Sequence, residues 1–234
     1  MLRHTLADAI WSAGYPGAGI LAGKSVDGES AVAAFFVCGL TDSDLQRRFV
    51  EDGGGVLLQP AEGAPNNALN IYQPVITFEN KMLIGNGAHT ESIFNTFQNG
   101  KSFGRAVKEQ MCLSRDDSLA PRITALIDMG ENDFDVDLRI TKAADEQGGI
   151  KRQSFKYAEI MPGTGYLLSM YQGTPNSFSD FEGEPRSVEL GASIFDIVAD
   201  IWENLSSHER VSLWVKCTSM KSHRSISRII NKNR

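Results

Sequence analysis

Asn66-Asn67-Ala68-Leu69-Asn70-Ile71-Tyr72 opens the stretch on which the fold turns. Two apolar runs follow, Val75-Ile76-Thr77-Phe78 and Lys81-Met82-Leu83-Ile84, and Gly85-Asn86-Gly87-Ala88-His89-Thr90-Glu91-Ser92 then leads into Ile93-Phe94-Asn95-Thr96. This pattern predicts a strand, a tight turn, a second strand, a small-residue loop and a helix start. Glu79-Asn80 is the hinge, and the pattern expects Asn80 to take the positive φ of a hairpin turn. Gly85 and Gly87 allow close approach of backbone to a ligand. Thr90 or Ser92 is the expected helix cap, which would leave free N–H groups beside His89.

Outward from this stretch, Asp27-Gly28 marks a second hairpin between Ile20–Gly23 and Ser30–Val37. Ala31-Val32-Ala33-Ala34-Phe35-Phe36-Val37 reads as a strand buried on both faces. Leu2, Leu6, Ile10 and Trp11 recur at helical spacing. So do Phe103, Ala106, Val107 and Met111, and Ile194, Phe195, Val198, Ala199, Ile201, Trp202 and Leu205. Residues 38–52 read as a polar loop carrying Arg47-Arg48. Pro121 is expected in the first turn of a segment over 122–127, and Val136–Thr141 is a half-buried strand before a polar loop at 142–149. Gln153–Glu159 and Leu167–Tyr171 read as strands, and residues 174–186 as an ordered loop. In Val211–Cys217, Val211, Leu213 and Val215 are assigned one face and Ser212, Trp214 and Lys216 the other. The basic tail from Lys221 is expected to fray. Strands and helices do not alternate regularly, which argues against Rossmann and barrel folds and for one layered α+β domain over residues 1–234.

The 234 residues are 41% hydrophobic with a net charge of -6 and a mean hydropathy of -0.22. That composition supports a substantial core and argues against nucleic acid as main partner. No long apolar run suggests a leader or a membrane span, and three scattered cysteines, Cys38, Cys112 and Cys217, suggest a reducing, cytoplasmic setting. Neither a metal-ligand spacing nor a phosphate-loop fingerprint is present, so no metal and no cofactor is expected. The Gly53-Gly54-Gly55 run lacks the spacing and the lysine of such a loop.

The candidate chemistry lies in dispersed side chains. Tyr72 offers a hydroxyl to a developing oxyanion. Asn70 and Asn86 offer amides, and His89 sits among small residues. Arg47, Arg48 and Arg122 are candidate phosphate ligands. Asp116, Asp117, Glu182 and Glu184 are the acidic candidates, and Cys38 ends an apolar strand as a possible nucleophile.

Several strings, in order, carry a resemblance: Tyr15-Pro16-Gly17-Ala18-Gly19-Ile20, Gln46-Arg47-Arg48-Phe49, Asn70-Ile71-Tyr72, Gly85-Asn86-Gly87-Ala88-His89-Thr90, Pro121-Arg122-Ile123, Pro162-Gly163-Thr164-Gly165-Tyr166 and Phe181-Glu182-Gly183-Glu184-Pro185-Arg186. From about Tyr15 to Val215 the chain resembles the archaeal-type IMP cyclohydrolase family, including its bacterial relatives. The resemblance implies a four-layer α/β/β/α sandwich similar to N-terminal-nucleophile hydrolases, without a terminal nucleophile. It also implies closure of the formamido-imidazole-carboxamide ribonucleotide (FAICAR) to inosine monophosphate with loss of water, on a purine nucleotide substrate. A homo-oligomer is expected only in that symmetric assembly is common. By resemblance Tyr72 meets the formyl oxygen, and Glu182 or Glu184 is the acid–base carboxylate. Arg47 or Arg48 binds substrate, Asn86, Gly87, His89 and Thr90 form the substrate loop, and Arg122 meets phosphate or a carboxylate. Two positions depart from the family pattern: Leu40 stands where an arginine is expected soon after glycine, and Gln73 where asparagine is expected. Two other readings remain: an amide-acting hydrolase using Cys38, and a non-catalytic nucleotide-binding protein.

Overall fold

The Asp27 turn shows how local chemistry starts the architecture. The Asp27 carboxylate accepts from the Glu29 amide at 2.9 Å and from the Ser25 hydroxyl, while Gly28 takes φ 75°. That turn closes β2 (Ala18–Lys24) against β3 (Ser30–Cys38) in register Ala18↔Val37 to Lys24↔Ala31. The computed structural model describes residues 4–65, 71–110, 120–144, 149–174 and 176–233. Around this hairpin one seven-stranded sheet is built in the order β1 (His4–Thr5), β14 (Arg186–Glu189), β11 (Thr164–Ser169), β2, β3, β15 (Arg210–Ser219), β16 (Ser225–Asn231). Only β1 and β14 pair parallel there.

The second seven-stranded sheet is an antiparallel meander. Its order is β10 (Ile150–Tyr157), β9 (Phe134–Ala143), β8 (Arg122–Met129), β7 (Lys81–Gly85), β6 (Tyr72–Phe78), β5 (Gly55–Pro60), β4 (Arg47–Asp52). A small hairpin, β12 (Tyr171–Thr174) with β13 (Ser177–Asp180), follows β11. The helices are α1 (Leu6–Ala13), α2 (Asp42–Leu45), α3 (His89–Gln98), α4 (Phe103–Gln110) and α5 (Ile194–Trp202). The fold is thus mixed α/β, with two large sheets and few helices. No helix among the described residues is long and apolar enough to cross a membrane.

Strand alternation sorts the core. Phe35 and Val37 join Phe49, Val75, Ile84, Ile123 and Leu138 in a cluster drawn from both sheets, and Phe35 and Phe49 meet with ring centroids 5.7 Å apart. The alternate residues Val32, Ala34 and Phe36 pack instead with Leu6 and Ile10 of α1 and with Ile194, Ile197 and Ile201 of α5. On the second sheet, Leu83 and Leu126 pack with Ile93 of α3 and with Phe103, Ala106 and Val107 of α4. A fully buried side chain of this size stabilises the fold by about 1.5–3 kcal/mol relative to exposure.

Several expectations change. Residues 122–127 form strand β8, not a turn begun at Pro121, because Ile123, Ala125 and Ile127 recur at period two and all face the other sheet. The polar residues 38–52 contain α2 and the edge strand β4. Lys142, expected in a loop, is the penultimate residue of β9, with only 2% of its surface exposed. The tail forms β16, paired with β15 and bound to β4: Asn231 Oδ1 accepts from the Phe49 amide at 2.8 Å and its Nδ2 donates to the Phe49 carbonyl at 3.0 Å. In β15 a bulge between Arg210 and Ser212 shifts the alternation. Val211 joins Trp214 between the sheets, while Leu213 and Val215 face α1 and α5. Trp11 and Phe195 point outward, 75% and 63% exposed, as their helices bury neighbouring positions.

Candidate active site

Antiparallel pairing brings the start of β4, the start of β6, the end of β7, the start of β8 and the end of β9 to one end of the second sheet. The end of β3, the start of β2 and the end of β11 lie at the matching end of the first sheet. Most candidate residues therefore reach one region, but alternation divides them between the two faces of the second sheet.

Three point between the sheets. Tyr72 belongs to the inter-sheet cluster and is 8% exposed. Arg47 shares the face of Phe49, two residues on. Asn86 shares the face of Ile84, and its Nδ2 donates to Sδ of Met170, the residue just after β11, at 3.0 Å and to the Pro121 carbonyl at 3.1 Å, while its Oδ1 accepts from the Ile123 amide at 2.8 Å. Met170 is a junction: its sulfur also accepts from the Ala18 amide at 3.4 Å, and its carbonyl accepts from the Phe181 amide at 2.9 Å.

Arg47 is aimed by the helix before it. Thr41 caps α2 by accepting from the Asp44 amide at 3.2 Å, and Asp44 returns a bond to Thr41. Arg47 Nε donates to the Asp44 carbonyl at 2.9 Å, and Nη2 meets its carboxylate at 3.1 Å. Burial lifts the Tyr72 hydroxyl to about 12, with Arg47 opposing the rise and Asp44 adding to it. Tyr72 therefore remains a proton donor at neutral pH. Tyr15 feels the same two groups: burial raises its hydroxyl, Cys38 and Asp44 raise it further, and Arg47 lowers it. Its ring stacks on Tyr171 at 6.0 Å and lies 5.1 Å from Phe178. A cleft of about 320 Å³ beside Arg47 is lined by Asp42, Ser43, Gln46, Pro60, Ala64 and Pro65.

The other candidates lie elsewhere. Arg48 alternates away from Phe49 onto the opposite face of β4. Arg122, next to the inward Ile123, faces the side carrying α3, where its charge reaches His89. His89 opens α3 and is 6% exposed, with Nε2 lacking a hydrogen-bond partner among the described residues. Burial chiefly, then Arg122, depresses its imidazole to about 4, against a smaller upward pull from the Ile123 carbonyl. It is a neutral ring packed on backbone: a Cβ on Gly87 would lie 3.0 Å from His89 Nδ1, and one on Gly85 would lie 2.4 Å from Thr90 Oγ1. The glycines thus make room for these side chains. Thr90 does not cap the helix. Ala88 holds that position without a side-chain bond, and Thr90 Oγ1 donates to the Gly87 carbonyl at 2.8 Å.

The two glutamates separate. Glu182 is exposed and pairs with Lys142 at 2.5 Å and Lys151 at 3.0 Å, and these bonds hold its carboxyl below the ordinary range. A carboxylate held so is a poor proton donor at neutral pH. Glu184 lies in a different cavity, with Tyr157 and Tyr166. Asn70, Cys112, Asp116 and Asp117 lie outside the described residues. The departures from the family pattern stay clear of the cleft side: Gln73 alternates away from Tyr72 and donates to Asp52 at 2.6 Å, and Leu40 is 44% exposed.

Two residues without a sequence motif occupy the site end. Lys142 shares the inward face of Leu138 and Ile140, and its Nζ also donates to the Phe181 carbonyl at 2.5 Å. Asp180, opposite Tyr171, has its carboxyl raised, by burial first, against a lowering influence of Lys142. The available signal was a lysine continuing the inward alternation of β9. Among the described residues, no group of three or more His, Cys, Asp or Glu is placed to hold a metal ion.

The fold and this end of it define the class: a two-sheet mixed α/β protein with a buried tyrosine, an oriented guanidinium and a bridging amide between its sheets. Residues 15–222 match the family described as IMP cyclohydrolase-like protein. The chain belongs to that family. No curated protein matches it significantly.

Proposed function

We propose that this chain is an IMP cyclohydrolase, closing FAICAR to inosine monophosphate by dehydration without a metal. The three packing clusters support an α/β/β/α layering similar to N-terminal-nucleophile hydrolases. The observation that carries the reading is the buried Tyr72 hydroxyl under the influence of Arg47, on the inter-sheet face that also holds Asn86.

Ring closure forms one C–N bond, as the carboxamide nitrogen attacks the formyl carbon. One carboxamide N–H proton passes to the formyl oxygen, and the resulting hydroxyl leaves as water with the formamido N–H proton, the C–O bond breaking as the C=N bond forms. Because the reaction is intramolecular, holding the two groups together supplies much of the rate. Tyr72, protonated at working pH, donates to the oxygen as charge develops there. Arg47 holds the phosphate: β4 and β6 are two strands apart, roughly 10 Å, a nucleotide-scale separation. Asn86 orients the carboxamide. The proton relay first given to Glu182 or Glu184 passes to Asp180, the acid at this end whose carboxyl is raised.

Purified, chelator-treated protein should convert FAICAR to inosine monophosphate, followed by absorbance. Tyr72→Phe should fold and turn over at least ~10-fold more slowly. Arg47→Ala should chiefly raise KM. Unchanged turnover in Tyr72→Phe would remove the role given to that phenol. A thiol-dependent hydrolase is disfavoured, because Cys38 is buried and both burial and Glu209 raise its pKa, keeping it a thiol. Saturable nucleotide binding with no turnover in the wild-type protein would instead indicate the non-catalytic role.

A further inference from the structure

On the flank where β10 faces β11, a cavity of about 560 Å³ opens away from Tyr72. Tyr157 on β10 lies four inter-strand spacings from Tyr72 on β6, roughly 19 Å across the sheet. It also lies near the far end of β10, pairing with Val136, whereas Lys151 near the start pairs with Lys142. The proposed active site does not use this cavity.

Its lining is specific. The rings of Tyr157 and Tyr166 stack face to face, with centroids 3.5 Å apart and planes 11° from parallel, and both residues are half-buried. Thr164 is 3% exposed and shares the inward face of Tyr166, and its buried Oγ1 has no hydrogen-bond partner among the described residues. A buried hydroxyl in that condition is unfavourable until something pairs with it. Glu184 stands exposed at the mouth, close enough for its charge to act on the Tyr157 hydroxyl. Met161 at the rim is 62% exposed.

A flat aromatic platform selects a planar ring, by stacking. A carboxylate at the edge of such a platform accepts from adjacent N–H groups and repels lone pairs. The buried threonine hydroxyl supplies a third polar point. Cavities of this size hold small molecules. We propose that this flank cavity is a second ligand site, taking a purine base with two adjacent N–H donors: it stacks on the tyrosine pair, donates its ring N–H and amino group to Glu184, and pairs with Thr164. The proposal is independent of the activity at Tyr72.

Binding of free nucleosides to the whole protein, followed by tyrosine fluorescence and confirmed by equilibrium dialysis, tests it. Guanosine presents both donors, inosine only the ring N–H, and adenosine an acceptor in its place. Guanosine should bind saturably, inosine at least ~10-fold more weakly, and adenosine more weakly still. Glu184→Gln replaces one acceptor oxygen with a donor on an exposed side chain, so it should keep the wild-type melting temperature and abolish the preference. Thr164→Val should weaken all three nucleosides, and Arg47→Ala should change none of the affinities. Equal binding of the three, guanosine affinity unaltered by Glu184→Gln, loss of binding in Arg47→Ala, or no saturable binding would each overturn the proposal. Failure here leaves FAICAR turnover and its Tyr72 dependence standing, and loss of turnover leaves nucleoside selectivity standing.

Discussion

His89 is neutral because its site makes the proton costly. Its ordinary value of 6.5 falls to about 4 in the fold, through burial and the neighbouring Arg122 charge. Between those values the unfolded chain binds a proton that the folded protein refuses, so stability rises with pH there. The full stability is present above pH 6.5 and is lost progressively as pH falls through about 4. The span corresponds to roughly 3 kcal/mol. Urea unfolding from pH 4 to 7 should show this slope, and a neutral Asn in place of His89 should flatten it. A slope unchanged in the variant would assign the dependence to another group. The same single-residue resolution separates Arg47 from Arg48. Nothing in the string Gln46-Arg47-Arg48-Phe49 shows which of them faces the other sheet; the inward ring of Phe49 does, because a strand turns each successive side chain over.

Among the elements, the β6–β7 hairpin turns at the expected place, but Glu79 takes the left-handed conformation, at φ 48°, while Asn80 spends its amide on Asp128 and the Met129 carbonyl. A side chain with Cβ is strained there, so Glu79→Gly should stabilise the protein by about 0.5–1 kcal/mol, measured by denaturant midpoint. No change would show that the added freedom of the unfolded glycine cancels the relief. The strand β16 covers the outer edge of β4. Besides Asn231, Ser227 Oγ donates to Glu51 at 2.7 Å, and Asn233 Nδ2 donates to the Leu45 carbonyl at 2.5 Å. Asn231→Ala leaves both Phe49 backbone groups unpaired and should cost roughly 2–4 kcal/mol in thermal or chemical unfolding. A loss under ~0.5 kcal/mol would mean that water replaces the amide without penalty.

At the scale of the molecule, the two hairpins and the helical stripes were legible because their periodicities and turn residues are local. Ala31–Val37 read correctly as buried on both faces for that reason. Other features escaped, among them the tail, one face of β15 and the strand after Pro121. The tail looked frayed because its pairing partner, β15, and the edge it covers, β4, lie outside any local window. Val211 was assigned the wrong face because a bulge leaves no mark in the apolar pattern. Residues 122–127 held a period of two behind a proline that suggested a helical turn. At the site, alternation could be read for Tyr72 but not for the loop after β7. Small residues around His89 carry no local sign that they make space for the imidazole, which only the packing of Gly85 and Gly87 against His89 and Thr90 shows. Lys142 and Asp180 have no motif and gain meaning only when the end of β9 meets the segment after β13.

The thioether of Met170, a half-buried residue, joins the two halves of the molecule, receiving an N–H from each sheet's side of the cleft. A sulfoxide there would add an oxygen where Asn86 and Ala18 already converge. Oxidative damage would therefore be felt first as misplacement of the Asn86 amide, with the hydrophobic interior still intact.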